Sequence, residues 1–290
     1  MSAILLRFLE GWWQTLLVLG AYVGAFAVLE RLYLAERGQR WQHLFFNLHY
    51  GIWSQGLNLA LTPWLTVAVV AWVHGVWPSL LSPASAVALP LKIGFALTYL
   101  FCYDLGYYAF HRLQHRWPLL WREHLLHHSD TALNATTALR HHWLEEPLKV
   151  FFIALPLAVL FDAPPLMLGV GALVVSSWPV LIHANLRIGF GPGHWLLSSP
   201  QTHRIHHSRL AGHADRNFAV FFPIIDRVFG TWYEPGRNEY PPTGLHSGRL
   251  INSQFEALLS PFLPDPPAAP ASDRATPAPG AQSIDTPAPH

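Results

Sequence analysis

The sequence predicts an all-α, polytopic integral membrane protein whose helices carry a histidine-rich, metal-binding cap on the cytoplasmic side. Three observations lead there. The 290 residues are 51% hydrophobic and only 12% charged, about half the share of roughly 25% typical of soluble domains. Apolar runs of near-spanning length recur over the first two thirds of the chain, and eight of the 18 histidines fall into three short patterns. Thirteen Trp and nine Tyr suit the two interfaces of a bilayer, where amphipathic rings settle.

The run WWQTLLVLGAYVGAFAVLE, residues 12–30, is long enough to cross a hydrocarbon core. It does not resemble a signal peptide: Glu10 beside Arg7 removes the basic leader, and the apolar run is too long. Residues 44–76 and 86–108 supply a second and a third span, divided by the uncharged linker WPSLLSPASA. Arg31, Arg37 and Arg40 lie in the first connection, and no charge lies in the second. Basic residues favour the cytoplasmic side of short loops. The third span therefore returns to the cytoplasm as it reaches His111, among Arg112, Arg116, Arg122 and Arg140. Residues 147–183 form another apolar block, broken at Asp162 and Pro164-Pro165. A helical hairpin with both ends on the cytoplasmic side explains the break. Each arm has about 15 to 18 residues, near the lower limit for a span. From His183 to about residue 260 the chain is more polar. Residues 261–290, rich in Pro and Ala, cannot bury a core and are expected to be disordered.

A net charge of +1 with no run of Lys or Arg argues against nucleic acid as a partner. A single cysteine, Cys102, leaves no internal disulfide, cysteine zinc site or iron–sulfur cluster. Histidine and carboxylate must hold any metal.

The three patterns are His111-x-x-x-His115, His124-x-x-His127-His128 and His203-x-x-His206-His207. On a helix, positions i, i+3 and i+4 share one face, so each pattern can aim two or three imidazoles at one point. Adjacent buried imidazoles need polar partners, and a metal supplies them. Eight ligands exceed the three or four of one zinc site and suit two metals. Imidazole binds zinc, copper, iron and nickel alike, so ligand type does not choose among them. His43, His49, His74, His246 and His290 stand outside the patterns and are expected to be interfacial or hydrogen-bonded.

The runs DLGYYAFHRLQH from Asp104 to His115, WREHLLHHS from Trp121 to Ser129 and SPQTHRIHH from Ser199 to His207 resemble the fatty acid hydroxylase and sterol desaturase superfamily. So do Asn134-x-x-Thr137-x-x-Arg140-x-His142, His183-Ala-Asn185, Asn217-Phe218 and DRVFGTW from Asp226. The resemblance covers about residues 90–235. It implies a membrane oxygenase with a histidine-held di-iron centre at the cytoplasmic face, acting on lipid C–H bonds with O2 as co-substrate. The eight box histidines are then catalytic metal ligands, and His183 and His142 join them. His141, His194 and His213 have weaker claims. Asp104, Glu123, Asp130, Glu145 and Asp226 are candidates to accept the outer N–H of a ligand ring. Asp104 is favoured because, seven residues before His111, it shares a helical face with it. The organisation implied is an N-terminal transmembrane region, 1–85, a hydroxylase/desaturase-like region, 86–260, and a tail, 261–290.

The same run resembles the alkylglycerol monooxygenase branch, which carries Glu directly after the first box where Arg116 stands here. The Arg140-x-His142 pattern instead resembles bacterial members akin to sterol C5-desaturases. The expected substrate is a membrane lipid: fatty acyl, sterol-like or ether lipid. The expected location is the bacterial inner membrane. No His-Pro-Gly-Gly of a cytochrome b5 domain occurs, so electrons are expected from a separate protein or a diffusible reductant. Two other classes compete. A membrane di-zinc hydrolase needs fewer histidines than are present, and a metal transporter or store would place ionisable residues inside the spans.

Overall fold

The computed structural model describes residues 3–82, 88–162 and 165–263. Among them every regular element is helical, with only isolated bridges between extended residues. Two helices, α1 (Ala3–Glu30) and α2 (Trp41–Val76), are long and apolar enough to cross a membrane. Only 6% of each apolar window is buried against protein, and large side chains such as Trp13, Leu17, Trp64, Val67 and Trp72 face outward. Soluble core helices bury such residues, so these helices face a non-aqueous solvent.

α2 is longer than a bilayer core requires: 36 residues rise about 54 Å, against a core of about 30 Å. Its surplus enters the cap, where Asn47, Tyr50, Gly51, Ser54 and Asn58 form a buried stripe at helical spacing. Gly51 permits close approach to the short 3-10 turn at Ala135–Leu139, since a Cβ there would lie 2.9 Å from the Leu139 Cβ.

α3 (Leu89–Arg116) covers the expected third span, residues 86–108, from residue 89 onward. Its first half exposes Leu89, Leu91, Ile93 and Leu97. It also carries Lys92 and Asp104, and it is not among the two helices that meet the length and hydropathy of a span. The helix continues past residue 108 and delivers His111 and His115 into the cap. Pro118 then opens α4 (Pro118–His128), which bears the second box. Of the linker after α2, residues 83–87 lie outside the described residues.

The expected hairpin is present in outline. One arm joins α5 (Glu145–Lys149), a π-turn at Val150–Ala154 and α6 (Leu155–Leu160); the other is α7 (Pro165–His183). Pro156 has no N–H for the Phe152 carbonyl, and a wider turn accommodates that loss. The break falls partly on residues 163–164, outside the described residues. At this tip Leu81 N–H donates to Leu160 O at 2.8 Å and Asp162 N–H to Leu81 O at 2.9 Å, pinning the segment after α2. At the opposite end the connection holding Arg31, Arg37 and Arg40 joins the cap: Arg187 N–H donates to Tyr33 O at 2.7 Å, and Arg204 pairs with Glu36 at 2.6 Å. α8 (Pro200–His206) carries the third box behind a Ser199–Thr202 capping box. α9 (Pro223–Val228) and α10 (Gln254–Leu259) close the cap. The tail expected to be disordered falls outside the described residues from 264 onward.

Candidate metal centre

Nine histidines from four helices converge. His111, His115, His124, His128 and His206 form one group, and His127, His183, His203 and His207 a second. Within each group the ligand nitrogens lie within 4.8 Å of one another. The doubled His-His pairs divide between the groups because neighbouring residues on a helix point about 100° apart. His127 and His128 therefore serve different groups, as do His206 and His207.

The hydrogen bonds behind the rings fix which nitrogen faces inward. His111 Nδ1 lies 3.0 Å from Phe218 O, His183 Nδ1 2.6 Å from Pro179 O, and His206 Nδ1 2.8 Å from Arg216 O. A carbonyl only accepts, so each Nδ1 carries the proton and each Nε2 presents a lone pair. His115 Nδ1 faces Asp215 Oδ1 at 3.2 Å and His124 Nδ1 faces Glu145 Oε2 at 3.4 Å, with the same result. These lone pairs are directed at one another. His111 Nε2 lies 3.0 Å from His124 Nε2, and His183 Nε2 lies 3.0 Å from His127 Nε2 and 2.9 Å from His203 Nε2. His206 Nε2 and both nitrogens of His207 are buried without a hydrogen-bond partner among the described residues. Burial holds the rings neutral. It pushes His124 down to about 4 and His183 to about 3, and the remaining buried members of both groups go well below the ordinary imidazole value. Converging neutral lone pairs are unfavourable among themselves and suited to cations. The residues fit metal ions, one per group.

Of the candidate carboxylates, Glu145 meets the outer nitrogen of His124, and the others play different parts. Glu145 accepts from His141 Nδ1 at 2.8 Å and pairs with Lys149 at 2.8 Å while it meets His124. Burial alone would raise its carboxyl, but His141 and Lys149 outweigh that and hold it well below the usual range. Burial and then the Glu145 charge push Glu123, which accepts from Gln114, well above it. Asp104 reaches no imidazole. It accepts from the amides of Val220, Phe221 and Phe222 at 2.7–3.0 Å, while Asp226 accepts from Phe218 and Ala219 at 2.8 and 2.9 Å. Together they hold the extended segment whose Phe218 carbonyl orients His111. Asp130 ties Asn47 and Thr137 together inside the cap.

The eight box histidines and His183 are brought together, and His142 is not. Its Nε2 bonds Leu258 O at 2.9 Å and its Nδ1 accepts from Leu144 N–H at 3.2 Å, so both nitrogens serve the backbone. Its neighbour His141 takes the inner place. It stacks on His127 with ring centroids 3.9 Å apart and forms a third group with His124 and Glu145. The i, i+4 spacing of His141 and Glu145 was the sequence signal for that pair. Asp215, which orients His115, gave none, since 100 residues separate them. His194 and His213 bond elsewhere, to Glu234 and Glu239.

A cavity of about 400 Å3 runs from Leu19, Pro63 and Val175 on the apolar helices to His141, His183 and His203. On the other side an opening at His115, Trp121, His128 and Asp215 reaches the first group.

The model of the family described as fatty acid hydroxylase matches residues 96–231, the segment that holds all nine converging histidines. Over that segment, just under half of its length, the chain is similar to the fatty acid hydroxylase family. Among relatives, ornithine lipid hydroxylase OlsE of Rhizobium tropici is 31% identical over 186 residues, 64% of this chain and 53% of its own length. Alkylglycerol monooxygenase of Xenopus tropicalis is 37% identical over 129 residues, 44% of this chain and 28% of its own. The human alkylglycerol monooxygenase is 35% identical over 161 residues, 54% of this chain and 35% of its own. The chain thus spans about half the length of the first relative and about a third of the others. No solved structure matches.

Proposed function

We propose that this protein is an O2-dependent di-iron oxygenase of the fatty acid hydroxylase family that hydroxylates or desaturates a C–H bond of a membrane lipid. The observation that carries the proposal is the pair of histidine groups, lone pairs inward, the second of them at the inner end of a cavity that starts among apolar helices. The names of the relatives, lipid hydroxylase and monooxygenase, support it.

His111, His115, His124, His128 and His206 would hold one iron, and His127, His183, His203 and His207 the other. Iron bound there supplies the redox chemistry with O2 that zinc does not offer. The chain's residues do the rest. The Phe218, Pro179 and Arg216 carbonyls, with Asp215 and Glu145, fix the tautomers of the rings they meet. The apolar wall of the cavity excludes water and admits a chain from the bilayer. For hydroxylation the balance is R–H + O2 + 2e− + 2H+ → R–OH + H2O. The two electrons come from a separate protein or a diffusible reductant. The substrate is a fatty acyl, sterol-like or ether lipid. The membrane is the inner membrane of a bacterium with the histidine groups on the cytoplasmic side, a placement supported by Arg31, Arg37 and Arg40 joining the same end of the molecule as the cap.

Iron-loaded protein incubated with host lipids, a reductant and 18O2 tests the reading by mass spectrometry. A lipid gaining one labelled oxygen, or losing two hydrogens, is expected. Oxidation that proceeds without iron, or oxygen drawn from water, would overturn it.

A further inference from the structure

Inside the cavity, α2 presents polar atoms that nothing among the described residues satisfies. Asn58 is 8% exposed and its Oδ1 has no hydrogen-bond partner among the described residues; the same holds for the buried Thr62 Oγ1. The two are four residues apart, on one helical face, and both line the cavity together with Gln55. The Thr62 hydroxyl is unusual within this protein. Thr15, Thr66 and Thr98, also on the long apolar helices, each satisfy theirs by donating to the carbonyl four residues earlier, at 2.8–2.9 Å. The Thr62 hydroxyl makes no such bond to the Asn58 carbonyl, and Thr62 lines the cavity. A buried amide or hydroxyl without a partner is costly, and this pair sits in a segment otherwise built from Leu, Ala and Trp.

The facing wall narrows the ligand's chemistry. Lys149 and Glu146 also line the cavity, but the ammonium is paired at 2.9 Å with Glu146 and at 2.8 Å with Glu145. The charges on that wall are matched among themselves. Of the uncharged groups that α2 sends to this cavity, the Asn58 amide and the Thr62 hydroxyl are the ones left buried without a partner among the described residues, and each can both donate and accept.

We infer that Asn58 and Thr62 form a polar subsite that holds an uncharged hydrogen-bonding group, a hydroxyl or an amide, on a long-chain lipid whose apolar part fills the same cavity. The inference rests on the proposed reading of that cavity as the substrate's place, and it adds a specificity that a plain hydrocarbon slot lacks. The subsite lies at the last buried position of the α2 stripe, where the helix passes from the cap toward its exposed apolar half. A lipid anchored there shares its cavity with His141, His183 and His203 at the far wall.

Equilibrium binding without turnover tests it. The full-length, metal-loaded chain in detergent is titrated with 1-hexadecanol and with 1-chlorohexadecane, which shares the chain but lacks the hydroxyl. The wild type is expected to favour the alcohol by about ten-fold. Asn58→Leu and Thr62→Val, which approximate shape and remove hydrogen bonding, are expected to bring the ratio close to one while chlorohexadecane affinity stays unchanged. Equal affinities in the wild type, or a preference that survives in Thr62→Val and Asn58→Leu, would overturn the subsite. Unchanged chlorohexadecane binding certifies the fold of each variant; if Asn58→Leu binds neither probe, Thr62→Val decides alone. No oxidation occurs in this assay, so its failure is separate from that of the oxygenase reading, which the 18O2 experiment tests.

Discussion

His111 Nε2 and His124 Nε2 stand 3.0 Å apart while the other nitrogen of each ring is committed to Phe218 O and Glu145 Oε2. Two lone pairs facing at that distance repel unless a cation lies between them, and the same relationship recurs at His183, His127 and His203. A metal held there would therefore be part of the folding balance of the cap. Stripping the purified protein with a chelator is expected to lower its melting temperature by on the order of 10 °C, the size expected when a ligand at about a thousand times its Kd is withdrawn. Scanning calorimetry before and after reconstitution checks this; an unchanged transition would mean that the rings are satisfied without metal.

Glu145 joins His124, His141 and Lys149 around one buried carboxylate. Replacing it by Gln retains the shape and removes the charge. Affinity for the metal held through His124 is expected to fall about 10- to 100-fold, with the second metal retained. Competitive titration against a chelator of known strength would show two distinguishable affinities in the variant.

His141 and His142 are neighbours with opposite environments. His142→Ala is expected to keep a full metal complement and to cost about 1 kcal/mol of stability through the lost bond to Leu258 O. His141→Ala removes a partner of Glu145 and the ring stacked on His127, and activity is expected to fall by at least about ten-fold. Elemental analysis and turnover of both variants decide; one metal missing from His142→Ala would restore that residue to the ligand set.

Asp104 holds three consecutive amides on the segment that orients His111. Asp104→Asn turns an NH2 toward N–H donors and is expected to cost about 3 kcal/mol, read as a lower denaturation midpoint. Metal affinity should drop at the His111 group before the His183 group. Equal stability of the variant would show that the three amides are held by other means.

The long apolar runs located α1 and α2, and the i, i+3, i+4 spacing located the histidine faces of α3, α4 and α8, because both are local, periodic signals. The expectation for His183 came from the resemblance, and the fold sets its ring beside those of His127 and His203. What escaped is tertiary in origin. Asp104 does share a helical face with His111, but seven residues put it about 10 Å along the axis, where it meets the amides at 220–222 instead of a ring. His142 and His141 differ by one position, so the choice between them depended on how the chain turns into α5. Asp215 reaches His115 from a loop in the left-handed region, φ 57°, which no periodicity announces. The third apolar run proved more polar than a span because Lys92 and Asp104 interrupt it.

The central claim, two irons held by the nine converging histidines, is tested most directly by elemental analysis and Mössbauer spectroscopy on active protein purified without a chelating tag. The account predicts two iron atoms per chain, with activity proportional to iron content. Two zinc atoms per chain in fully active protein, with no dependence on iron, would contradict it.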